Sequence, residues 1–166
     1  MSGKPFEPEI TAFYCLYCGY MAADSAGALQ IQYPANVKFV RLPCTGKTDV
    51  RYLLEAFEQG ADGVYVVACP IGNCHHVRGN ERGRARLQRT KKILDEIGLG
   101  GERLDMFFMS GSQAHAFANA AQTMTDRIRA LGPSPLKGEK GNGRVKAEDA
   151  DDEDVGFRGR RRGLQR

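Results

Sequence analysis

Residues 63–68 read Gly-Val-Tyr-Val-Val-Ala, an unbroken apolar run between Asp62 and Cys69-Pro70. A β-prone run with no polar face fits a central strand covered on both sides, and such strands belong to parallel sheets whose crossover helices supply the cover. Three further runs fit the same sheet: residues 10–14, 37–42, where apolar and basic residues alternate, and 104–109. Between them the apolar period changes to that of helices. Val50, Leu53, Leu54 and Phe57 form one stripe, with Asp49 at its start and Gly60 as its stop. Leu87, Ile93, Leu94 and Ile97 form a second, closed by Gly98, and Phe117, Ala121, Met124, Ile128 and Leu131 a third, closed by Gly132. Ala22, Ala26 and Leu29 mark a weaker first helix whose small residues permit close approach to the sheet. Strand and helix alternate four times. This predicts an α/β fold: a three-layer open parallel sheet of about four strands with alternating helices and right-handed crossovers.

The pattern stops near residue 132. Residues 133–166 carry nine Lys or Arg and seven Asp or Glu, with an acidic block at 148–154, an arginine-rich end and few apolar residues. Such a segment cannot bury enough surface to offset the entropy of ordering, so it is expected to be a disordered charged C-terminal tail. The expected organisation is a folded domain over 1–132 and a tail over 133–166. The domain holds fifteen basic and thirteen acidic residues. Near-neutrality of that kind gives no argument for nucleic-acid binding, and no motif for it is present. No apolar run approaches the ~20 residues of a membrane span, and the first residues lack the apolar stretch of a secretory signal. A cytoplasmic protein without membrane insertion is expected.

Five cysteines is an odd number, so they cannot all pair as disulfides. In a reducing compartment such cysteines serve metals or redox chemistry. Cys15 and Cys18 follow the first strand, Cys44 follows the second, and Cys69 and Cys74 follow the third. In a parallel sheet these carboxyl ends share one edge, where open α/β folds place their sites. The surrounding residues suit loops that wrap sulfur: Cys15-Leu16-Tyr17-Cys18-Gly19, Pro43-Cys44-Thr45-Gly46, and Cys69-Pro70-Ile71-Gly72-Asn73-Cys74. Glycine allows close backbone approach and proline stiffens the turn.

Several chemistries use such a rim. An iron–sulfur cluster takes four thiolates and leaves one spare. A zinc site also takes four ligands, with His75 or His76 available, but usually shows two paired knuckles rather than one. A thiol–disulfide oxidoreductase needs only Cys15 and Cys18 and leaves three cysteines without a role. A phosphatase cradle of the Cys-x5-Arg kind would require Arg at 75 or 80; His75 and Asn80 stand in those places, and that reading fails. His115, on a predicted helix, reads as a surface residue. Residues 78–92 hold seven basic side chains and one acid, which suits either a solvated helix face or a docking face for an acidic partner.

The motifs at 13–24, 33–37, 41–46, 56–64 and 69–76, followed by Gly79-Asn80, resemble in order the methyl-viologen-reducing hydrogenase delta subunit family. The resemblance spans roughly residues 10–132. It implies a small electron-transfer protein with one 2Fe–2S cluster, its family cysteines falling on Cys15, Cys18, Cys44, Cys69 and Cys74. It implies as partners an electron donor, such as a hydrogenase, a formate dehydrogenase or components of related reductases, and an acceptor like the A-type flavoprotein of heterodisulfide reductase. The sequence departs from the family pattern at Cys69-Pro70-Ile71-Gly72, where a His-Pro-Gly version is expected, and at Met109, where Trp is common.

Overall fold

The computed structural model describes residues 6–138. Four parallel strands, β1 (Ile10–Cys15), β2 (Val37–Leu42), β3 (Gly63–Ala68) and β4 (Leu104–Phe108), form one sheet in the order β2-β1-β3-β4. Helices α1 (Cys18–Ala28), α2 (Val50–Glu58), α3 (Gly79–Glu96) and α4 (Ala114–Leu131) alternate with them. All six residues of β3 are buried, as the unbroken apolar run requires of a strand with helices on both faces. The three-layer α/β fold expected from the sequence is the one observed.

The layers follow from the side chains. On one face α1 and α4 pack Ala22, Ala26, Phe117, Met124 and Ile128 against Ile10, Ala12, Tyr65 and Val67. On the other face α2 and α3 pack Leu53, Phe57, Leu87 and Leu94 against Phe13, Val64 and Val66. Odd and even strand positions thus feed opposite cores. Asp49 caps α2 by accepting the Arg51 N–H at 3.0 Å. Gly60, Gly98 and Gly132 all adopt positive φ just beyond the ends of α2, α3 and α4.

Residues 133–138, which the sequence reading assigns to the tail, pack on the domain. A one-turn helix α5 (Pro135–Gly138) follows the buried Ser134. The fully buried Asp62 accepts the Ser134 N–H at 2.8 Å, the Glu9 N–H at 2.8 Å and Lys137 Nζ at 2.7 Å. Arg103, also buried, donates to the carbonyls of Leu99, Asp62, Leu131, Gly132 and Pro133, which ties off the carboxyl end of α4. The remainder of the expected tail, residues 139–166, lies outside the described residues.

Asp105 joins the edge strand to both layers, holding Arg127 at 2.6 Å and Lys91 at 3.5 Å. Burial raises its carboxyl pKa, but Arg127, the Met106 N–H and Lys91 outweigh burial and hold it below the usual aspartate range. A depressed pKa in the folded state stabilises the fold above the unfolded-state value, and the gain fades as pH falls through the folded value. Asp105→Asn is therefore expected to cost about 1 kcal/mol at neutral pH, after discounting for partial solvent screening. Urea melts should show the gap from wild type closing as pH drops below about 4.

Candidate metal centre

β1 ends on Cys15, and Cys18 opens α1 after a two-residue turn. Cys44 caps a short 3-10 turn, Thr45–Lys47, just after β2. Cys69 follows β3, and Cys74 lies in the loop before α3. The strand order makes β2, β1 and β3 neighbours, so all five predicted site residues come to one edge of the sheet. The chain runs from β1 outward to β2 and returns to β3 on the opposite side of β1. The carboxyl ends of β1 and β3 therefore flank a topological switch point, where open α/β sheets leave a crevice. Cys15 and Cys69 sit across that crevice with their Sγ atoms 3.7 Å apart. All five cysteines are free thiols.

The thiols form two groups. Cys18 approaches both Cys69 and Cys15, completing a set of three at the crevice. Cys44 and Cys74 face each other over the start of α3, with Cys69 the next thiol along from Cys44. Gly79 sets the spacing of this second pair. A Cβ there would overlap Cys44 Sγ and stand 3.3 Å from Cys74 Sγ. Gly46 in turn abuts Gly79, since a Cβ on Gly46 would lie 2.9 Å from the Gly79 Cα. Among the described residues, no three or more Cys, His, Asp or Glu side chains enclose a single metal position.

Backbone N–H groups point at the sulfurs. Cys15 accepts from Gly19 at 3.1 Å and also from Tyr17, while Cys44 accepts from Gly46 at 3.3 Å. Cys18 accepts from Gly111, in the loop after β4. Cys74 accepts from Asn80, His76 and Gly79, where α3 begins and its unpaired N–H groups are available. Burial pushes the Cys15 thiol up to about 11 and the Cys18 thiol up to about 12, with Cys69 adding to both. Burial raises Cys44 as well. Burial also acts to raise Cys74, but there the three N–H groups and Cys44 outweigh it and the thiol pKa falls. The dithiol-oxidoreductase reading gains nothing from this, because a reactive Cys-x-x-Cys pair relies on a depressed pKa and both members here are raised.

The loops are fixed from outside. Pro70, Ile71, Gly72 and Asn73 make a turn closed by Asn73 N–H to Pro70 O at 3.1 Å, with Gly72 at φ 80°, a conformation that suits glycine. Val77 adopts φ 61°, strained for a β-branched residue. It turns the chain after Cys74 so that α3 begins directly against that sulfur, and strain of this kind gathers at functional sites. Asn80, fully buried, donates to the carbonyls of Cys69 at 2.9 Å and Pro70 at 2.7 Å, pinning the Cys69 loop to α3. Tyr17 stacks on His75 with ring centroids 3.7 Å apart and meets His76 edge-on, joining the Cys15–Cys18 turn to the Cys74 loop. Both imidazoles are exposed and packed on Tyr17, a bracing role for side chains that the sequence offers as possible ligands. His115, in the first turn of α4, is exposed, as a surface residue is expected to be.

Sequence reasoning did not foresee what Gly46, Asn80 and Gly111 do. Gly46 and Gly79-Asn80 are visible in the motifs that carry the resemblance, but their contacts depend on how α3 meets the turn after β2. Gly111 had no signal, because its link to Cys18 is made through a backbone N–H.

A family described as methyl-viologen-reducing hydrogenase, delta subunit, matches residues 10–132, from the first residue of β1 to just past the end of α4. The chain belongs to the methyl-viologen-reducing hydrogenase delta subunit family. All five thiols of this delta-subunit domain lie within the matched stretch. Its relatives include the vhu iron–sulfur subunit of the F420-non-reducing hydrogenase of Methanococcus maripaludis, 51% identical over 131 residues, which cover 79% of this chain and 98% of the relative. The protein of the same description from Methanocaldococcus jannaschii is 50% identical over 133 residues, 80% of this chain and 99% of that one. A third relative is the A-type component of the ferredoxin/F(420)H(2)-dependent CoB-CoM heterodisulfide reductase of Methanosarcina acetivorans. It is 34% identical over 126 residues, which are 76% of this chain but 16% of that much longer protein. The hydrogenase relatives and the heterodisulfide reductase relative support an electron-transfer role. Among the described residues no helix is long and apolar enough to cross a membrane.

Proposed function

We propose that this delta-subunit protein carries one 2Fe–2S cluster on the cysteine edge and relays electrons between a hydrogenase or other electron-donating oxidoreductase and a heterodisulfide-reductase-A-like flavoprotein. The observation that carries the reading is the division of the thiols into two groups on one rim. A tetrahedral metal holding sulfurs at roughly 2.3 Å spaces them about 3.8 Å apart, and Cys15 and Cys69 stand at 3.7 Å. A dinuclear cluster takes two thiolates on each iron. One pair drawn from Cys15, Cys18 and Cys69, and a second pair of Cys44 and Cys74, supply that set. Soft thiolates suit iron–sulfur chemistry, and the bare backbone at Gly79 keeps side-chain atoms out of the space between the second pair.

When bound, such a cluster supplies a one-electron redox centre. The chain's own residues hold it and tune it. Peptide N–H groups from Gly19, Gly46, Gly79, Asn80 and Gly111 stabilise negative charge on sulfur, which favours the reduced, more anionic state and raises the potential. The Tyr17–His75 stack and the Asn80 hydrogen bonds join the Cys15–Cys18 turn, the Cys69–Cys74 loop and the start of α3, so little reorganisation accompanies a change of charge.

The assignment of the A-like partner is supported by the Methanosarcina protein, in which a stretch similar to this domain is part of a heterodisulfide reductase polypeptide of the A type. Thiols that serve as metal ligands suit a reducing cytoplasm. The test is composition and spectroscopy of anaerobically purified protein. The expected result is a brown protein with two iron and two sulfide per chain and a paramagnetic reduced state. Colourless protein that takes up one zinc, and no iron after anaerobic reconstitution, would sink the reading.

A further inference from the structure

The basic run after Cys74 does not form one surface. Arg84 and Lys91 lie on a different side of α3 from Arg82 and Arg86, and Lys91 is spent on Asp105. Arg82 and Arg86 instead border a cleft of about 460 Å³ with Gly46, Lys47 and Arg51, residues brought there from the turn after β2 and the first turn of α2. Four cations thus converge from three segments. None of the four has a carboxylate within salt-bridge distance among the described residues. The one acid lining the cleft, Asp49, is engaged in capping α2.

The cleft is built, not accidental to long side chains. Arg86 is half-buried and its Nη1 donates to Gly46 O at 2.6 Å and to Thr48 O at 3.3 Å, which fixes the guanidinium. Gly79 and Gly83 let α3 lie directly on the Thr45–Lys47 turn: a Cβ on Gly83 would come within 2.6 Å of the Thr45 carbonyl oxygen. The seam that closes the Cys44–Cys74 pair therefore also brings Arg82 and Arg86 up to Lys47. Four positive charges against one carboxylate, Asp49, repel one another in this concavity, and an entering anionic group relieves the repulsion.

We infer that this cleft is the docking site for a carboxylate-rich segment of the electron-transfer partner. The inference rests on the electron-carrier reading above. It adds which face meets the partner and by what chemistry. Lys47 is three residues from Cys44, so an acidic segment seated here brings the partner's redox centre to the Cys44 side of the rim. Complementary charge of this kind sets orientation and association rate, and it weakens with salt.

The test uses full-length, anaerobically reconstituted chain and the heterodisulfide-reductase-A-like flavoprotein from the same source, with affinity measured by interferometry at low and at moderate salt. Lys47→Glu with Arg51→Glu, or Arg82→Glu alone, should weaken binding at least about tenfold and flatten its salt dependence. Arg84→Glu with Lys92→Glu matches the net charge change of the first pair, lies outside the cleft, and should stay within about twofold of wild type. Hexaglutamate should compete for the wild-type cleft. Equal weakening by both sets of variants overturns the inference, because net charge alone would then explain binding. Competition by inorganic pyrophosphate but not by hexaglutamate also overturns it, and would mark a phosphate site instead. Iron content and the reduced-state signal of each variant report on the electron-carrier reading separately. If the flavoprotein does not bind wild-type chain, the partner assignment fails, and labelled hexaglutamate titrated directly into the same variants decides the cleft.

Discussion

Gly79→Ala is expected to strip the protein of most of its iron while leaving its secondary structure in place. The added methyl group has nowhere to go. It would overlap Cys44 Sγ and crowd Cys74 Sγ at 3.3 Å, with the Gly46 nitrogen already in contact at 3.5 Å. Relief requires either the Thr45–Lys47 turn or the first turn of α3 to retreat, and each movement drags one of the two thiols with it. Overpacking of this kind costs about 1–3 kcal/mol, which a core of two apolar layers can absorb. The four sulfurs of a cluster have no such tolerance. The measurement is iron and sulfide per chain, with far-ultraviolet circular dichroism to show that the helices persist. Gly27→Ala is the matched control. Gly27 lies in α1 with open space around its missing Cβ and no positive φ. That change should keep the cluster and stabilise the fold by up to about 1 kcal/mol. Full iron in Gly79→Ala would show that the Cys44–Cys74 pair is not a ligand pair.

The same glycine shows why part of this molecule was legible in its sequence and part was not. The strands were readable almost to the residue because the central β3 is a buried apolar run and the edge strand β2 alternates apolar and basic residues, and Gly60, Gly98 and Gly132 end their helices at the expected places. The apolar stripe of α3, however, begins at Leu87, while the helix begins at Gly79. Its first two turns bury Gly79, Asn80 and Gly83, residues suited to backbone approach and hydrogen bonding, so hydrophobic periodicity has nothing to register there. Leu29, Ile97 and Leu131, read as stripe members, are instead exposed at helix ends. Asp62 and Arg103 organise the opposite edge through buried polar contacts, and such networks leave no periodic trace. Convergence of the five cysteines followed from topology alone. Their division into three and two did not, because it depends on the strand order and on how closely α3 meets the turn after β2.

That division makes the single-cysteine series asymmetric. Cys44→Ser and Cys74→Ser should each abolish the cluster, because they are the two thiols over the start of α3 among the described residues, and the next thiol along, Cys69, stands 3.7 Å from Cys15 at the crevice. At the crevice end Cys15, Cys18 and Cys69 stand within reach of one another, one more than an iron there requires. One of these three changes should therefore leave two iron per chain and an unaltered reduced-state signal. The N–H groups sharpen the expected phenotype. Loss of the Cys74 sulfur also leaves N–H donors at the start of α3 without an acceptor, so Cys74→Ser should lower thermal stability as well as iron content. A serine hydroxyl restores part of that hydrogen bonding but is a poor ligand for iron–sulfur chemistry, so Cys74→Ala should be the less stable of the two variants at equal iron loss. The series is read by iron and sulfide analysis, spin resonance of the dithionite-reduced protein, and melting temperature. Retention of a full cluster in Cys44→Ser or Cys74→Ser would leave the other thiol of that pair as the only ligand from the start of α3. That outcome would require Cys15, Cys18 and Cys69 all to be ligands, and would remove the grouping of thiols on which the dinuclear assignment stands.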